Sequence, residues 1–496
     1  MHNRENPSKD YTELLEEYKE MHEDAKYFTG ISIVMHLSTI TKIILVEGAK
    51  SLIDYGCGKA TLYDKEKYKF RSAQKWWLYK TLKIFDKKLS EIGVKFIVEN
   101  NLEYSFLEKI IKNKKITEVC WNKIFSPEEI AIENNIIKLL EKNNIKHKIF
   151  SSNLLQNPDQ CRKKDNTPFQ VFTPFWKNAE MIYLKNYKYK KNLIKSKKSL
   201  KNNNQAKIET ILPKKKWYEK FEKYWFPGED IALKKVKNFN SEKINFYDKN
   251  RDFPSIEGTS KLSPHLAFGE ISPKKIYDEC TKIKNKKIGV TKFLNEIGWR
   301  EFAYHLINHF PIMLKKNLRK NFDKFPWSEN KKFLDKWKKG NTGYPIVDAA
   351  MKQLYETGWM HNRLRMVVGS FLVKHLRINW TEGEKYFKDT LLDYDTANNV
   401  SGWQWIAGCG ADAAPYFRIF NPITQGEKFD PNGEFVKYWI PNLKKVPKKF
   451  IHKPWELPEE QAKLINFNLI KDYFEPIVDH KIAREAALKA FEFTKK

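Results

Sequence analysis

Cysteine is scarce in this sequence of 496 residues, which contains five, and no pair of them has a spacing typical of a zinc site. They are Cys57, Cys120, Cys161, Cys280 and Cys409. Scattered cysteines in an odd number are typical of reduced thiols, so we expect neither disulfide bonds nor a metal site. The sequence also lacks an apolar run of the roughly 18 residues that span a membrane, and its start lacks the form of a signal peptide. These absences predict a soluble, cytoplasmic protein.

Acidic residues are the minority charge: 61 Asp and Glu stand against 91 Lys and Arg, which leaves a formal net charge of +30. A positive excess of this size is typical of proteins that bind a polyanion such as a nucleic acid. Hydrophobic residues make up 41% of the chain and include 33 Phe, 23 Tyr and 15 Trp, enough for a large core and too many for a disordered chain.

The first 68 residues differ in character from the rest of the chain. They contain the motif DYGCGK, a glycine turn after a short apolar run, which resembles the first strand and loop of an S-adenosylmethionine-dependent methyltransferase. Gly56 and Gly58 would let a ligand approach the backbone at this turn. The later strands of such a fold do not follow. We therefore interpret residues 1–68 as an atypical, methyltransferase-like segment that does not bind this ligand.

From residue 69 onward, helix-like and strand-like stretches alternate. The apolar spacing predicts helices over 71–92, 102–113 and 127–143, and strands over 95–100, 117–122 and 146–152. Alternation at these lengths is typical of a parallel sheet with crossover helices. Residues 69–154 are therefore expected to form an incomplete, doubly wound α/β domain.

The remainder of the chain divides into three parts by composition. Residues 155–245 include a stretch rich in Lys and Asn without periodicity, which indicates an irregular, basic linker between domains. Beyond it, apolar residues recur at helical spacing, so residues 246–475 are expected to form a large all-helical domain. Residues 476–496 are expected to be a C-terminal tail.

Two helical stretches place aromatic planes beside polar groups. In NEIGWREF, Glu296, Trp299 and Arg300 lie at i, i+3 and i+4, and TGWMHNRLRM repeats the pattern with Asn362 and Met366. Such faces could stack on a pair of bases and form hydrogen bonds with them. Taken alone, each motif is more often an exposed ion pair beside a half-buried tryptophan, or ordinary core packing.

Two further stretches present groups that suit a polar ligand. The turn GTSKLS offers hydroxyl and backbone N–H groups just before a predicted helix, which suits a phosphate, although such a turn is more often a helix cap. Asp393, Asp395 and Asn399 immediately precede GWQW, so acceptors and an amide could surround a heterocycle. Each motif is weak evidence alone, and their joint presence makes a ligand-binding site a stronger prediction.

The motifs GTSKLSPHLAFGEISP, NEIGWREF, TGWMHNRLRM, DTANNVSGWQW and DAAPYFRIFNPITQGEKFD, in this order, resemble the deoxyribodipyrimidine photolyases of the photolyase/cryptochrome family, in particular the class I enzymes that act on cyclobutane pyrimidine dimers. The resemblance extends over roughly residues 69–475. It implies an α/β domain followed in the sequence by an all-helical domain that binds FAD.

The resemblance also implies cofactor contacts. They are Tyr247, Thr259, Ser260, Lys261, Leu262 and Ser263 near the phosphates of FAD, together with Arg300, Arg365, Asp393, Tyr394, Asp395 and Asn399. Asp393 is expected to pair with Arg365, and Asn399 is expected to face flavin N5. In the position of Lys261, related enzymes often have Arg, which keeps the charge but loses the planar guanidinium.

The activity that the resemblance implies is the light-driven repair of cyclobutane pyrimidine dimers, by electron transfer from excited, reduced FAD to a flipped-out lesion. The implied catalytic residues are Glu296, Trp299, Asn362, Met366 and Asn399. The implied DNA contacts are Arg251, Glu296, Trp299, Arg300, Asn362, Arg363, Gln425 and Lys428. The expected partner is UV-damaged DNA, and we expect a monomer.

Three tryptophans, Trp327, Trp380 and Trp403, stand at the positions of the family's electron-transfer chain. The usual start of the family, a strand that ends in a WFR…DLR signature, is absent, and the segment 1–68 stands in its place. The antenna chromophore of the family, methenyltetrahydrofolate or a deazaflavin, binds partly through the missing stretch. The sequence therefore does not decide whether this protein binds an antenna chromophore or has lost it.

Two alternatives remain at this point. A cryptochrome-like photoreceptor would bind flavin and signal without repair, but Asn362 and Met366 match the repair enzymes for cyclobutane dimers. A methyltransferase would rest only on DYGCGK. The repair of a thymine dimer under light distinguishes the three.

Overall fold

The computed structural model describes residues 72–91, 111, 116, 118–125, 127–151, 153–186, 208, 211–212, 216–283, 288–413 and 417–495. These residues form two compact units. Unit 1 contains the described residues up to Lys216 together with Phe226–Glu242 and Ser260–Pro311, and unit 2 contains Trp217–Trp225, Lys243–Thr259 and the described residues from Ile312 onward. The segment 1–68 and the strand predicted over 95–100 lie outside the described residues.

In chain order, the elements up to residue 309 are α1 Ser72–Glu91, β1 Glu118–Asn122, α2 Pro127–Lys142, β2 Lys146–Phe150, α3 Phe172–Asn186, α4 Glu229–Asn238, α5 Tyr247–Asn250, α6 Ser263–Ala267, α7 Pro273–Thr281 and α8 Ile288–His309. The later helices are α9 Lys331–Lys339, α10 Pro345–Thr357, α11 Asn362–Ser370, α12 Trp380–Thr390, α13 Thr396–Ala407, α14 Pro422–Phe429, α15 Glu434–Trp439, α16 Glu459–Leu464, α17 Leu469–Asp472 and α18 His480–Glu492. Short 3₁₀ and π turns connect several of them.

Unit 1 contains the strand–helix–strand pattern that the sequence predicts. Strands β1 and β2 pair in parallel, from Glu118 opposite Lys146 to Asn122 opposite Phe150, and α2 connects them. The apolar residues Val119, Trp121 and Leu140 are buried between the strands and this helix. The fold class, an α/β part with a small parallel sheet followed by a mostly helical part, is thereby confirmed.

Part of the range 155–245 is helical, which corrects the prediction of an irregular linker. Helix α3 buries Phe172, Phe175 and Trp176, and α4 buries Ala232 and Val236. These apolar residues recur at helical spacing, and that signal was outweighed by the Lys- and Asn-rich stretch that follows α3. Most of that stretch, residues 187–207, lies outside the described residues.

Helices α3 and α8 pack closely inside unit 1. A Cβ atom added at Gly298 would lie 2.6 Å from the indole ring of Trp176. Only glycine fits this contact, because any larger side chain would push the two helices apart. Gly298 directly precedes Trp299, so the close approach also fixes the position of that tryptophan.

Unit 2 is helical where it is described. Near its centre the carboxylate of Asp348, fully buried, accepts hydrogen bonds from the backbone N–H of Thr342 and Gly343 and from the hydroxyl groups of Thr342 and Tyr473. Burial raises the pKa of Asp348, while these donors act in the opposite direction. A network this fully satisfied holds α10 to the segment around residue 473.

The range 476–496, predicted as a tail, contains the packed helix α18. This helix buries Ala483, Ala487 and Ala490, and Phe491 stacks on Phe417 with ring centroids 4.5 Å apart. Sequence reasoning missed this helix because its buried face consists of alanines at helical spacing. Their small side chains allow close packing without the large apolar residues that usually mark a buried face. None of the helices in the described part of the chain is long and apolar enough to cross a bilayer.

Candidate functional site

The guanidinium of Arg365 pairs with the carboxylate of Asp393 in unit 2. Nη2 of Arg365 lies 2.7 Å from Oδ2 of Asp393, and its Nε donates to the main-chain oxygen of Met360 at 2.9 Å. The other carboxylate oxygen, Oδ1 of Asp393, is buried without a hydrogen-bond partner in the described structure. A buried acceptor of this kind needs a donor, and an N–H group of a polar heterocycle would supply it. The pair itself is the one expected from the resemblance.

Asp395 and Asn399 lie at the start of α13. The carboxylate of Asp395 caps this helix, because its Oδ1 accepts from the backbone N–H of Asn398 at 3.1 Å. Nδ2 of Asn399 donates to Oε1 of Glu384 at 3.2 Å. The carboxylate can only accept, so the amide is oriented with its nitrogen toward Glu384, and Oδ1 is the end available to another donor.

The same carboxylate holds Tyr394. Its hydroxyl group donates to Oε1 of Glu384 at 3.0 Å, and burial raises the pKa of Tyr394 well above its usual value. The phenol therefore remains a donor at neutral pH. Sequence reasoning missed Glu384, because no motif marks a single glutamate on an amphipathic helix such as α12.

Two of the three tryptophans of the expected electron-transfer chain are buried. Trp403 packs against Phe387 with centroids 5.0 Å apart, and its Nε1 is buried without a partner in the described structure. Nε1 of Trp380 donates to Oδ1 of Asn317 at 2.8 Å. Trp327 is partly exposed. All three belong to unit 2, and their role as an electron path stays a prediction.

Helix α11 begins at Asn362, whose side chain is exposed. The imidazole of His361 caps the helix, because its Nδ1 accepts from the backbone N–H of Arg363 at 3.2 Å. Burial lowers the pKa of His361 to about 4, so the ring is neutral and can accept at physiological pH. Met366 is half-buried one turn further along the helix. The capped helix start therefore presents the amide of Asn362 to solvent.

Two arginines predicted to contact DNA share one carboxylate. Nη2 of Arg363 lies 2.9 Å from Oδ1 of Asp252, and Nε of Arg251 lies 3.9 Å from the same atom. The guanidinium of Arg363 also lies over the ring of Phe429 at 4.4 Å. Asp252 was missed by sequence reasoning, although it is the direct neighbour of Arg251. It holds the two cations in place and reduces their net charge.

Helix α14 carries two further predicted DNA contacts, Gln425 and Lys428. The carboxamide of Asn421 caps it by accepting from the backbone N–H of Ile423 at 2.9 Å. Lys428 is exposed, and its ammonium group lies 5.3 Å from the ring centre of Phe429. Oε1 of Gln425 is buried without a partner in the described part of the structure. The side-chain oxygen of Gln425 can therefore still accept a hydrogen bond.

In unit 1, Trp299 stacks on Phe172. The two ring centroids are 3.8 Å apart and the planes are 7° from parallel. Trp299 is 36% exposed, whereas Phe172 is 8% exposed. One face of the indole is therefore covered by a buried aromatic side chain, and the exposed area is available to a ligand. Sequence reasoning missed Phe172 because it lies in the range predicted to be irregular.

Arg300 does not extend beside Trp299 as a free guanidinium. Its Nη1 donates to the main-chain oxygen of Asn153 at 2.7 Å and lies 3.4 Å from Oε1 of Glu301, and the residue is 8% exposed. The predicted common face of Glu296, Trp299 and Arg300 is corrected in this respect, because the main-chain oxygen of Asn153 and the carboxylate of Glu301 engage the cation. The role of Arg300 at FAD or DNA stays a prediction.

The turn GTSKLS does precede a helix, α6, as the sequence predicts. Lys261 adopts a left-handed backbone conformation with φ of 49°, and Oγ of Ser260 accepts from the backbone N–H of Leu262 at 3.4 Å. Behind the turn, the buried His265 forms a hydrogen bond with Glu270. Glu270 also accepts from Nε1 of Trp77 at 3.0 Å, which ties α1 to this part of unit 1.

Two family descriptions match the chain. The family described as "DNA photolyase" matches residues 57–222, and the family described as "FAD binding domain of DNA photolyase" matches residues 293–493. The first match begins inside the segment 1–68 that the sequence analysis set apart. Arg365, Asp393 and Asn399 all lie inside the second match.

Whole-chain relatives agree with these matches. The chain is 40% identical over 451 residues to the deoxyribodipyrimidine photo-lyase of Agrobacterium fabrum, covering 90% of this chain and 94% of that protein. A crystal structure of a bacterial class III photolyase from Agrobacterium tumefaciens matches with a TM-score of 0.83 and 37% identity over 96% of both chains. A Synechocystis cryptochrome structure matches with a TM-score of 0.76 and 28% identity, covering 85% of this chain and 88% of that one.

Proposed function

The chain belongs to the photolyase/cryptochrome family, and on that premise we propose that it is a lyase that repairs cyclobutane pyrimidine dimers in DNA under light. The observation that carries the proposal is the Arg365–Asp393 pair, with its unpartnered carboxylate oxygen, inside the matched FAD-binding domain. Reduced FAD, once excited by light, supplies the electron that opens the cyclobutane ring and regains it afterwards.

The residues of unit 2 fit the flavin chemically. Asp393 offers an acceptor to a ring N–H, and Arg365 pairs with that carboxylate at 2.7 Å. Asn399 offers its amide oxygen, because Glu384 engages the amide nitrogen. Tyr394 and Asp395 support these groups from the start of α13, and Tyr247 completes the proposed contacts in this unit.

The phosphates of the cofactor are assigned to the turn that leads into α6. Thr259 and Ser260 contribute hydroxyl groups, and Lys261 contributes a positive charge. The proposed contacts continue through Leu262 and Ser263. The left-handed backbone at Lys261 turns the chain so that successive N–H groups can point toward one anion.

The lesion is assigned to the side chains that the resemblance to photolyases implies. Trp299 would stack on a pyrimidine with its exposed surface, while Asn362 and Met366 bind from the start of α11. Glu296 is proposed to form a hydrogen bond with the dimer. Flipping the dimer out costs less than flipping intact bases, because the damaged pair is poorly stacked.

The remaining contacts are assigned to phosphates. Arg251, Arg363, Gln425 and Lys428 would position the duplex, and contacts of this kind weaken steeply with salt. Trp327, Trp380 and Trp403 are proposed to carry electrons from the surface to the flavin. We also propose that the protein acts as a cytoplasmic monomer, in keeping with free thiols at Cys120, Cys161, Cys280 and Cys409.

The test is repair of an oligonucleotide that carries one thymine dimer, by purified protein with bound, reduced FAD. We expect the dimer to disappear under blue light and to persist in the dark. Two variants are compared in the same assay. Asn362→Ala removes the proposed lesion contact and should slow repair, whereas Asn341→Ala, at a partly exposed asparagine elsewhere in unit 2, should not. Illuminated protein with bound FAD that leaves the dimer intact would contradict the proposal.

A cryptochrome-like photoreceptor is the second candidate, because a cryptochrome structure is among the similar folds. It shares flavin binding and light absorption with the first candidate. The two differ in one result: a photoreceptor would photoreduce its flavin and leave the thymine dimer unrepaired. An antenna chromophore is compatible with both, and absorbance of the purified protein beyond that of FAD would reveal one.

A further inference from the structure

A short turn in unit 2 concentrates four lysines whose side chains are exposed. It lies in the sequence PNLKKVPKKF, after α15, and we call residues 444–449 the lysine turn. Its lysines are Lys444, Lys445, Lys448 and Lys449. Six residues span at most about 20 Å of backbone, so four positively charged side chains are concentrated on a short segment.

The lysine turn is nevertheless well packed. Leu443, Val446 and Phe450 are buried between the exposed lysines. Turn hydrogen bonds of 3.0 Å from Val446 to Leu443 and 2.9 Å from Phe450 to Pro447 fix the backbone. The apolar anchors thus hold the lysines outward on a defined surface.

No carboxylate in the described structure pairs with any of these four lysines. The nearby Lys453 behaves differently, because its ammonium group lies 3.4 Å from carboxylate oxygens of both Glu427 and Glu456. Some exposed lysines on helices of unit 2 also have acidic partners, as Lys463 has in Glu459 at 2.7 Å. The lysine turn therefore presents cations that no carboxylate of the described structure pairs with.

The segment that follows the turn packs against α14. The imidazole of His452 fills the space beside Gly426, and its Nε2 donates to the main-chain oxygen of Asp430 at 2.8 Å. The Lys453–Glu427 ion pair joins the same two segments. The lysine turn is thus attached to the helix that carries Gln425 and Lys428, the two residues proposed above to contact DNA.

We propose that the lysine turn binds the phosphate backbone of the duplex that flanks a lesion, and so extends the DNA contact of α14. Duplex DNA carries about one negative charge per 1.7 Å of its axis, so it is a suitable partner for a cluster of lysines without acidic partners in the described structure. The inference rests on the proposed function, and it adds a second region of binding that serves affinity for the duplex and takes no part in the chemistry. Lesion recognition itself should not depend on it.

The experiment measures binding to a duplex of about 25 base pairs with one thymine dimer at 50 to 200 mM salt. It compares the wild type with the variant K444Q/K445Q/K448Q/K449Q. The slope of log affinity against log salt should fall in magnitude by about 0.9 for each phosphate that the variant no longer neutralises. Between 50 and 200 mM salt the wild type loses affinity by some factor. If all four lysines bind phosphates, the corresponding factor for the variant should be on the order of 100-fold smaller.

The matched control is K331Q/K332Q/K471Q/K481Q, which removes four other exposed lysines of unit 2 and the same net charge. It should keep a slope near that of the wild type. An equal reduction of the slope in both variants, or no reduction in the first, would overturn the inference.

A short single-stranded oligonucleotide that carries the dimer separates this inference from the proposed function. All three proteins should repair it under light at similar rates, because it lacks the flanking duplex. Wild-type repair of this oligonucleotide together with an unchanged slope would refute DNA binding by the lysine turn alone. Absence of repair and of any preference for the dimer in the wild type would refute the proposed function instead.

Discussion

Asn399 is held by Glu384, because Nδ2 of the amide donates to Oε1 of the carboxylate at 3.2 Å. This contact decides which end of the amide is available to the flavin. The oxygen of Asn399 is left to accept a hydrogen bond from an N–H group. If Asn399 faces flavin N5, as we propose, this acceptor would favour the reduced ring, which carries hydrogen on N5. Glu384 would then act as a positioning residue for the cofactor.

We expect Glu384→Gln to lower the midpoint potential of bound flavin. A glutamine can donate to the amide oxygen of Asn399 and let the amide turn over, which removes the acceptor from N5. One hydrogen bond of about 0.5 to 1.5 kcal/mol corresponds to roughly 10 to 30 mV for a two-electron couple. Spectroelectrochemical titration of the holoprotein measures it. Glu382→Gln on the same helix, where Glu382 pairs with Lys385 at 2.8 Å, should leave the potential unchanged.

We expect Phe172→Leu to weaken binding of dimer-containing DNA while undamaged DNA binds as before. Phe172 supports the indole of Trp299 by stacking at 3.8 Å, and an aromatic pair contributes about 0.5 to 1.5 kcal/mol, or roughly 2- to 13-fold in affinity. Fluorescence anisotropy with both DNAs measures the two constants. Phe169→Leu, at an equally buried phenylalanine, is the control, and an equal effect of both variants would count against a support role for Phe172.

We expect Trp403→Phe to block photoreduction of the flavin and to spare repair once the flavin is reduced chemically. Trp403 is buried and its ring fills the space beside Gly383, so phenylalanine leaves a small cavity without a polar group exposed. Absorbance under illumination and a repair assay with dithionite-reduced protein measure the two functions. Trp225→Phe, at another buried tryptophan of unit 2, should retain both. Loss of both functions in Trp403→Phe would show that electron supply and repair are not separable here.

We expect the free energy of unfolding to fall as the pH drops below about 6.5, in part because of His375. Burial and the neighbouring His480 lower the pKa of His375 to about 3, and its Nε2 lies 2.8 Å from Nδ1 of His480. The unfolded chain therefore binds a proton near pH 6.5 that the folded chain does not bind, and the stability present above that pH is lost by about 1.4 kcal/mol for each unit below it. Between pH 6.5 and 5.0 this amounts to about 2 kcal/mol.

Urea denaturation of wild type and His375→Gln at these two pH values checks the expectation. The variant should lose about 2 kcal/mol less than the wild type over this interval, because glutamine does not titrate. His147→Gln, at a partly exposed histidine of β2, should behave as the wild type does. A variant His375→Gln with the wild-type pH dependence would assign the acid sensitivity to other groups.

The elements that the sequence predicted well are those whose signal is local. Strands β1 and β2 and helix α2 follow from apolar periodicity, and the observed bounds differ from the predicted ones by at most two residues. Helix α8, with 22 residues, follows from the same signal. Periodicity reports which face is buried, and that is decided within a few turns of chain.

The partners of the site residues could not be predicted, because they depend on contacts between distant segments. Glu384 reaches Asn399 across 15 residues, and Phe172 reaches Trp299 only because α3 packs on α8. The spacing of Glu296 and Arg300 indicated an ion pair between them. The guanidinium of Arg300 instead donates to the main-chain oxygen of Asn153, 147 residues earlier in the chain. A rule based on local spacing cannot predict such a contact.

The central carboxylate of unit 2 is completed late in the chain. Asp348 receives the hydroxyl group of Tyr473 from 125 residues further on, and α18 packs after that. During synthesis on a ribosome, Asp348 can therefore receive this hydrogen bond only after Tyr473 has left the exit tunnel. We expect unit 2 to reach its full stability only when nearly all of it has been synthesised.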